Sequence, residues 1–213
     1  MQIETSKILG GVGAILMFLG VIPFLSYYGI IELVGLILVM VALYNLASYY
    51  VEKGIFNNAL YGLIIGIVGG AIAAGTLILM VLSSLTDFLY TIFPDWNGDW
   101  SALSGLTPDV SNLDISAIMP FITGFFVTLL VLWIFAIIAF YFVRRSLTAL
   151  SAKSGVSLFS TAGLLMLVGA VLLVAMLIGA ILIWIGLLLL AVAFFQIKPP
   201  QAQLTPPPAP PTM

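Results

Sequence analysis

Cysteine and histidine are both missing from this 213-residue chain. Their absence excludes disulfides, thiol nucleophiles, Cys- or His-ligated zinc, haem attached through cysteine, and imidazole acid–base chemistry. Charge is scarce as well. Only 7% of residues are charged, against roughly 25% in ordinary soluble domains. With 63% hydrophobic residues, too little polar material remains to coat a soluble core, so lipid must be the solvent for most of the exterior. No Asn-x-Ser/Thr sequon occurs, so N-glycosylation is not expected.

What is present is a series of long apolar runs. A hydrocarbon layer of about 30 Å is crossed by roughly 20 apolar residues in a helix, with about 17 as the lower limit. Residues 8–25, 30–50, 59–82, 118–142, 158–175 and 180–196 meet that measure. They predict an all-α bundle of six transmembrane helices arranged as three in-out-in hairpins, with an outer loop at 86–117. The first run is too long for a signal-peptide core, has only Lys7 as a preceding basic residue and lacks an A-x-A-like site, so it reads as a retained span. The charge-free segment 158–197 would measure about 60 Å as one helix, twice the hydrocarbon thickness. Two spans with a turn near Gly179 are expected instead, because glycine adopts the left-handed conformation that ends many helices.

The few charges set orientation. Lys7, Lys53, Arg144, Arg145, Lys153 and Lys198 all fall on one side of a six-span threading, and an excess of Lys and Arg marks the cytoplasmic face. The loops assigned outside hold no basic residue, whereas Glu32, Asp87, Asp95, Asp99, Asp109 and Asp114 fall at or beyond the outer surface. The expectation is a cell-membrane protein with both termini cytoplasmic. Residues 199–213 contain seven prolines and predict a disordered, polyproline-like cytoplasmic tail.

Candidate sites are few. Gly62, Gly66 and Gly70 repeat at every fourth position of span 3. Such a face lets two helix backbones approach closely in lipid, within one bundle or between copies. No charge sits near the midplane of any span, which argues against ion coupling. Glu32, in the first turn of span 2, is the nearest candidate for a transport role. Thr76, Thr123 and Thr128 are the other polar groups inside the middle pair, where hydroxyls commonly bond to their own helix. Asn57 and Asn58 stand where span 3 needs a cap. In the outer loop, Asp95, Asn97 and Asp99 place oxygens at alternate positions, as at the opening of a calcium loop. The glycine is misplaced for that motif and Leu106 stands where its closing Glu belongs; a solvated turn with Trp96 and Trp100 at the headgroup level is the alternative. No cofactor, nucleic acid or enzymatic activity is expected.

Residues 33–45 align without a gap on 184–196, and the Gly13 region aligns on the Gly163 region, so the first and last hairpins read as a candidate repeat. Four stretches carry a wider resemblance: Lys7-Ile-Leu-Gly-Gly-Val-Gly-Ala14, Gly54-Ile-Phe-Asn-Asn-Ala59, Ser154-Gly-Val-Ser-Leu-Phe-Ser-Thr-Ala-Gly-Leu-Leu165 and the segment 183–195. They resemble the domain of unknown function 996 family of uncharacterised, mainly archaeal polytopic membrane proteins. That resemblance implies a multi-pass membrane protein and transfers no activity or site residue. Two functions fit these residues. One is a structural or assembly component that packs with membrane partners or as a homo-oligomer. The other is a small transporter or channel for an uncharged or apolar solute.

Overall fold

The computed structural model describes residues 3–22, 29–109, 111, 115–175 and 177–198. The proline-rich segment 199–213, residues 23–28 between the first two spans, and Asp114 lie outside them. The described residues form α1 (Ile3–Gly20), α2 (Ile30–Tyr49), α3 (Lys53–Ile92), α4 (Ile115–Ser154), α5 (Leu158–Val171) and α6 (Leu177–Phe195). A short 3-10 segment spans Trp100–Gly105, and another, Leu172–Ala175, continues α5. No strand occurs among the described residues. Among the described residues, six helices are long and apolar enough to cross a membrane.

Each helix packs on its neighbour in sequence, and α1 closes the ring on α6; α2 and α3 touch least. The beginnings of α1, α3 and α5 and the ends of α2, α4 and α6 therefore share one end of the bundle. All six basic residues lie toward that end. There the main core forms, with Phe159, Phe194, Leu46, Ile55, Leu147 and Leu150 fully enclosed.

The two central helices differ from the expected spans. α3 and α4 have 40 residues each, or about 60 Å of helix. Helix formation does not stop where apolarity stops: Ser83, Thr86 and Thr91 donate their hydroxyls to carbonyls three or four residues back, and the polar turns stay helical. The Trp133 indole N–H donates to the carbonyls of Ala170 and Val171 at 3.1 Å, which marks the outer end of α5 on α4. Beyond that level α3 and α4 continue as a hairpin, held by Met80 against Gly124 and by edge-to-face Phe88 and Phe121 at 5.8 Å.

Two local expectations are corrected. Gly179 is not the turn between the last spans. It lies inside α6, and the chain reverses between Leu172 and Leu177. A Cβ on Gly179 would sit 2.5 Å from the Leu173 nitrogen and 2.6 Å from the Gly169 oxygen. The glycine serves close backbone approach rather than a left-handed turn. The cap of α3 is Glu52, whose carboxylate accepts the Gly54 N–H at 3.3 Å and pairs with Lys153 at 3.6 Å. Asn58 instead donates to the Gly54 carbonyl from within the helix.

Candidate functional site

Helix α3 turns a glycine-rich face toward the bundle interior, and its glycines are not equivalent. A Cβ on Gly62 would lie 2.8 Å from the Ala139 oxygen and 3.1 Å from Val143 Cγ2. Gly69 is covered just as tightly by the Cβ and ring of Phe135. These two positions, seven residues apart, carry the close approach of α3 to α4. Gly66 meets only the Ala139 Cβ at 4.0 Å, and Gly70 meets nothing within 4 Å. Both border a cavity of about 480 Å³ between the helices, half open to the bundle surface where Ile67 on its wall is 63% exposed.

All six helices contribute to that cavity. Its wall includes Met17 of α1, Met40 of α2, Gly66 and Gly70 of α3, Phe135 and Ala139 of α4, Met166 of α5 and Leu187 of α6. The Ser146 hydroxyl, on the same wall, is spent on the Ile55 carbonyl. The chamber therefore offers dispersion contacts and almost no hydrogen bonds. Its volume is within the roughly 300–1,000 Å³ of small-molecule sites, and three methionines give its wall an adaptable, polarisable surface. A charged solute would lose its hydration there without compensation. An apolar one would not. A second apolar groove, about 760 Å³, lies beside the Trp133 indole between α4 and the Leu172–Ala175 turn.

The other sequence candidates lie apart from this chamber. Glu32 is in the first turn of α2, folded over Gly20 of α1, where a Cβ would lie 2.5 Å from its carboxyl carbon. One of its oxygens is buried with no hydrogen-bond partner among the described residues. Thr76 donates to the Ile72 carbonyl at 2.9 Å, as expected, whereas the buried Thr128 hydroxyl has no partner among the described residues. In the outer loop Asn97 accepts the Asp99 N–H, and Asp99 accepts both the N–H and hydroxyl of Ser101 as the cap of the 3-10 segment. The Ser101 backbone N–H, then its hydroxyl, holds the Asp99 carboxyl below the usual range. Asp109 is lowered in the same way, first by the Ser111 hydroxyl and then by its N–H. The loop oxygens thus act as turn caps, and Asp95 is exposed beside them. Trp96 is buried at 4% exposure, between Tyr90 and Trp100, with its indole N–H on the Asp99 carbonyl at 2.7 Å. It is the core of a small cap on the α3–α4 hairpin.

The model of the family described as Protein of unknown function (DUF996) matches residues 31–188. The chain belongs to this family. The DUF996 match runs from the first turn of α2 well into α6, so it takes in the cavity walls contributed by α2, α3, α4 and α5. The "Uncharacterized protein MJ1644" of Methanocaldococcus jannaschii is similar over the full bundle, 24% identical over 197 residues, covering 92% of this chain and 94% of the relative. No solved structure matches the chain.

Several contacts were not signalled as sites in the sequence. Gly13 and Gly35 face each other, each placing a would-be Cβ 2.6 Å from the other's carbonyl oxygen, and so set the α1–α2 distance. The Trp184 indole stacks on Phe18 at 4.5 Å and donates to the Phe18 carbonyl at 2.9 Å, tying α6 to α1. The glycines that align with Gly13 and Gly35 in the last hairpin, Gly163 and Gly186, meet α4 and Met166 instead. The small residues Gly10, Gly11, Gly13 and Ala14 were the signal on α1, whereas Gly35, between valine and leucine, and the indole had none.

Proposed function

We propose that this DUF996 protein takes an uncharged, apolar molecule from the bilayer into the chamber between its six helices, as a small carrier or channel would. The observation that supports the reading is the chamber itself, an apolar space bordered by Gly66, with a single contact at 4.0 Å, and Gly70, with none within 4 Å. Helix packing in lipid favours close backbone contact, and Gly66 and Gly70 leave an apolar space open there instead. The thin α2–α3 contact provides a lateral route from the acyl chains. The basic end supports cytoplasmic placement of both termini in a cell membrane.

Filling the chamber tests the reading. Gly66→Leu and Gly70→Leu place side chains where space is open, so the protein should fold as well as the parent. Binding and vesicle flux of a fluorescent apolar probe should fall at least tenfold. Probe binding and flux unchanged in both folded variants would end the proposal.

A second reading, a structural or assembly component, is supported by the outer half of the α3–α4 hairpin. Leu79, Leu82, Phe125, Phe126 and Leu130 are all more than half exposed there. Recovery of a stable homo-oligomer or a co-purifying membrane partner, with no probe binding, would favour it.

A further inference from the structure

The lipid-facing side of α4 carries an arrangement independent of the chamber. Ile134, Ile138, Tyr141 and Arg145 follow one another at i, i+4, i+7 and i+11, which keeps them on one helical stripe. The first three are 45%, 40% and 46% exposed, and the stripe runs about 16 Å along the axis. It ends at Arg145, and Arg144, one residue earlier and about 100° around the helix, places a second guanidinium beside it where the α4 backbone meets Gly163 of α5. Arg144 and Arg145 are both exposed and stand where the apolar face of α4 gives way to a polar last stretch, about 15 Å before the helix end at Ser154. Helical side chains lean toward the N-terminus. Arg145 accordingly lies over the Tyr141 ring, 6.0 Å from its centroid, facing back toward the apolar stripe.

These cations lack the partner that a basic residue at the edge of lipid requires. Lys153, on the same helix, is paired with Glu52 at 3.6 Å. Neither Arg144 nor Arg145 has a carboxylate partner among the described residues. A guanidinium at the boundary of hydrocarbon is stabilised by an anion that presents two oxygens to its planar fork. We propose that Arg144 and Arg145 form a binding site for the phosphate of an anionic phospholipid, whose acyl chain lies along Tyr141, Ile138 and Ile134. The apolar stripe distinguishes this site from one for free phosphate: the chain contributes contacts that a soluble anion cannot make. The binding goes beyond the apolar chamber, because the stripe through Arg145 lies on the opposite, outward face of α4 and none of its residues borders that chamber.

The test measures binding of phosphatidylglycerol to the full-length protein in neutral detergent, by native mass spectrometry and by the shift in thermal unfolding. Phosphatidylcholine and glycerol phosphate serve as comparisons. The expected result is preferential phosphatidylglycerol binding, weakened by salt and about fivefold weaker for each arginine changed to glutamine. Arg144→Gln/Arg145→Gln together should lose about twenty-fivefold, and Arg144→Lys/Arg145→Lys should keep part of the affinity. Equal retention of phosphatidylcholine, or full affinity in the folded double glutamine variant, would overturn the proposal. So would competition by glycerol phosphate as effective as by the lipid, which would assign a simple anion site. Should the glutamine variant fail to fold, the parent protein's salt titration decides: phosphatidylglycerol binding indifferent to ionic strength would equally overturn it.

Discussion

Gly62, Gly66 and Gly70 are equivalent in the sequence, and the structure predicts that alanine affects them in opposite directions. Replacing a helix-interior glycine by alanine is worth about 1 kcal/mol in backbone propensity. At Gly70 the new methyl meets nothing within 4 Å, and at Gly66 it makes one ordinary contact at 4.0 Å, so both variants should gain most of that energy. At Gly62 the methyl would stand 2.8 Å from the backbone oxygen of Ala139, and neither helix can relieve the clash by rotating a side chain. Overpacking of this kind costs about 1–3 kcal/mol, which leaves Gly62→Ala destabilised by up to about 2 kcal/mol. Gly69→Ala meets the Cβ of Phe135 and should behave as Gly62→Ala does. For a chain of this size 1 kcal/mol moves the midpoint by about 2–4 °C. Thermal unfolding of the four variants in one mild detergent reads the sign directly. Equal destabilisation at 62, 66 and 70 would refute the reasoning, because it would mean that the whole stripe is packed and that no chamber exists.

Other expectations come from single contacts. Trp184→Phe keeps the stack on Phe18 but loses the bond to its carbonyl; it should lower stability by about 1 kcal/mol, and an unchanged midpoint would deny that bond a role. Val51 holds a left-handed backbone at φ 52 in the α2–α3 turn and is 88% exposed. Val51→Gly should therefore stabilise the fold by about 1 kcal/mol, and a fall in the midpoint would contradict the assigned backbone. Asp99 and Asp109 are both held below their ordinary value of 3.8. Their contribution to the outer cap is complete above that value and is lost as pH falls through the lower folded values. The near-ultraviolet dichroism of Trp96 and Trp100 should stay constant down to pH 3.8 and change only below it; a transition centred higher would show that other groups control the cap.

Much of the architecture is legible from composition because lipid imposes it. A helix in hydrocarbon must satisfy its own backbone, so the apolar runs at 30–50 and 158–175 map closely onto α2 and onto α5 with its 3-10 extension. Boundaries were harder where polarity and helicity part company. Residues 83–92 are too polar to be counted in a span, yet their hydroxyls return to the helix and α3 continues through them. Gly179 shows the same difficulty in another form. A glycine near the middle of an uncharged stretch fits both a turn and a backbone contact, and only the position of Gly169 across the hairpin selects the second.

The membrane class, the six helices and the gathering of basic residues toward one end were written in the chain, because each depends on hydropathy and local order along the polymer. The division of α3's glycines into packed and open, the chamber they border, and the indole ties of Trp133 and Trp184 were decided by tertiary structure. Those features arise from which residue of another helix arrives opposite. In a chain so rich in leucine, valine and glycine, many pairings satisfy the hydropathy pattern equally, and the choice among them is made by backbone distances at positions such as Gly13, Gly62 and Gly169.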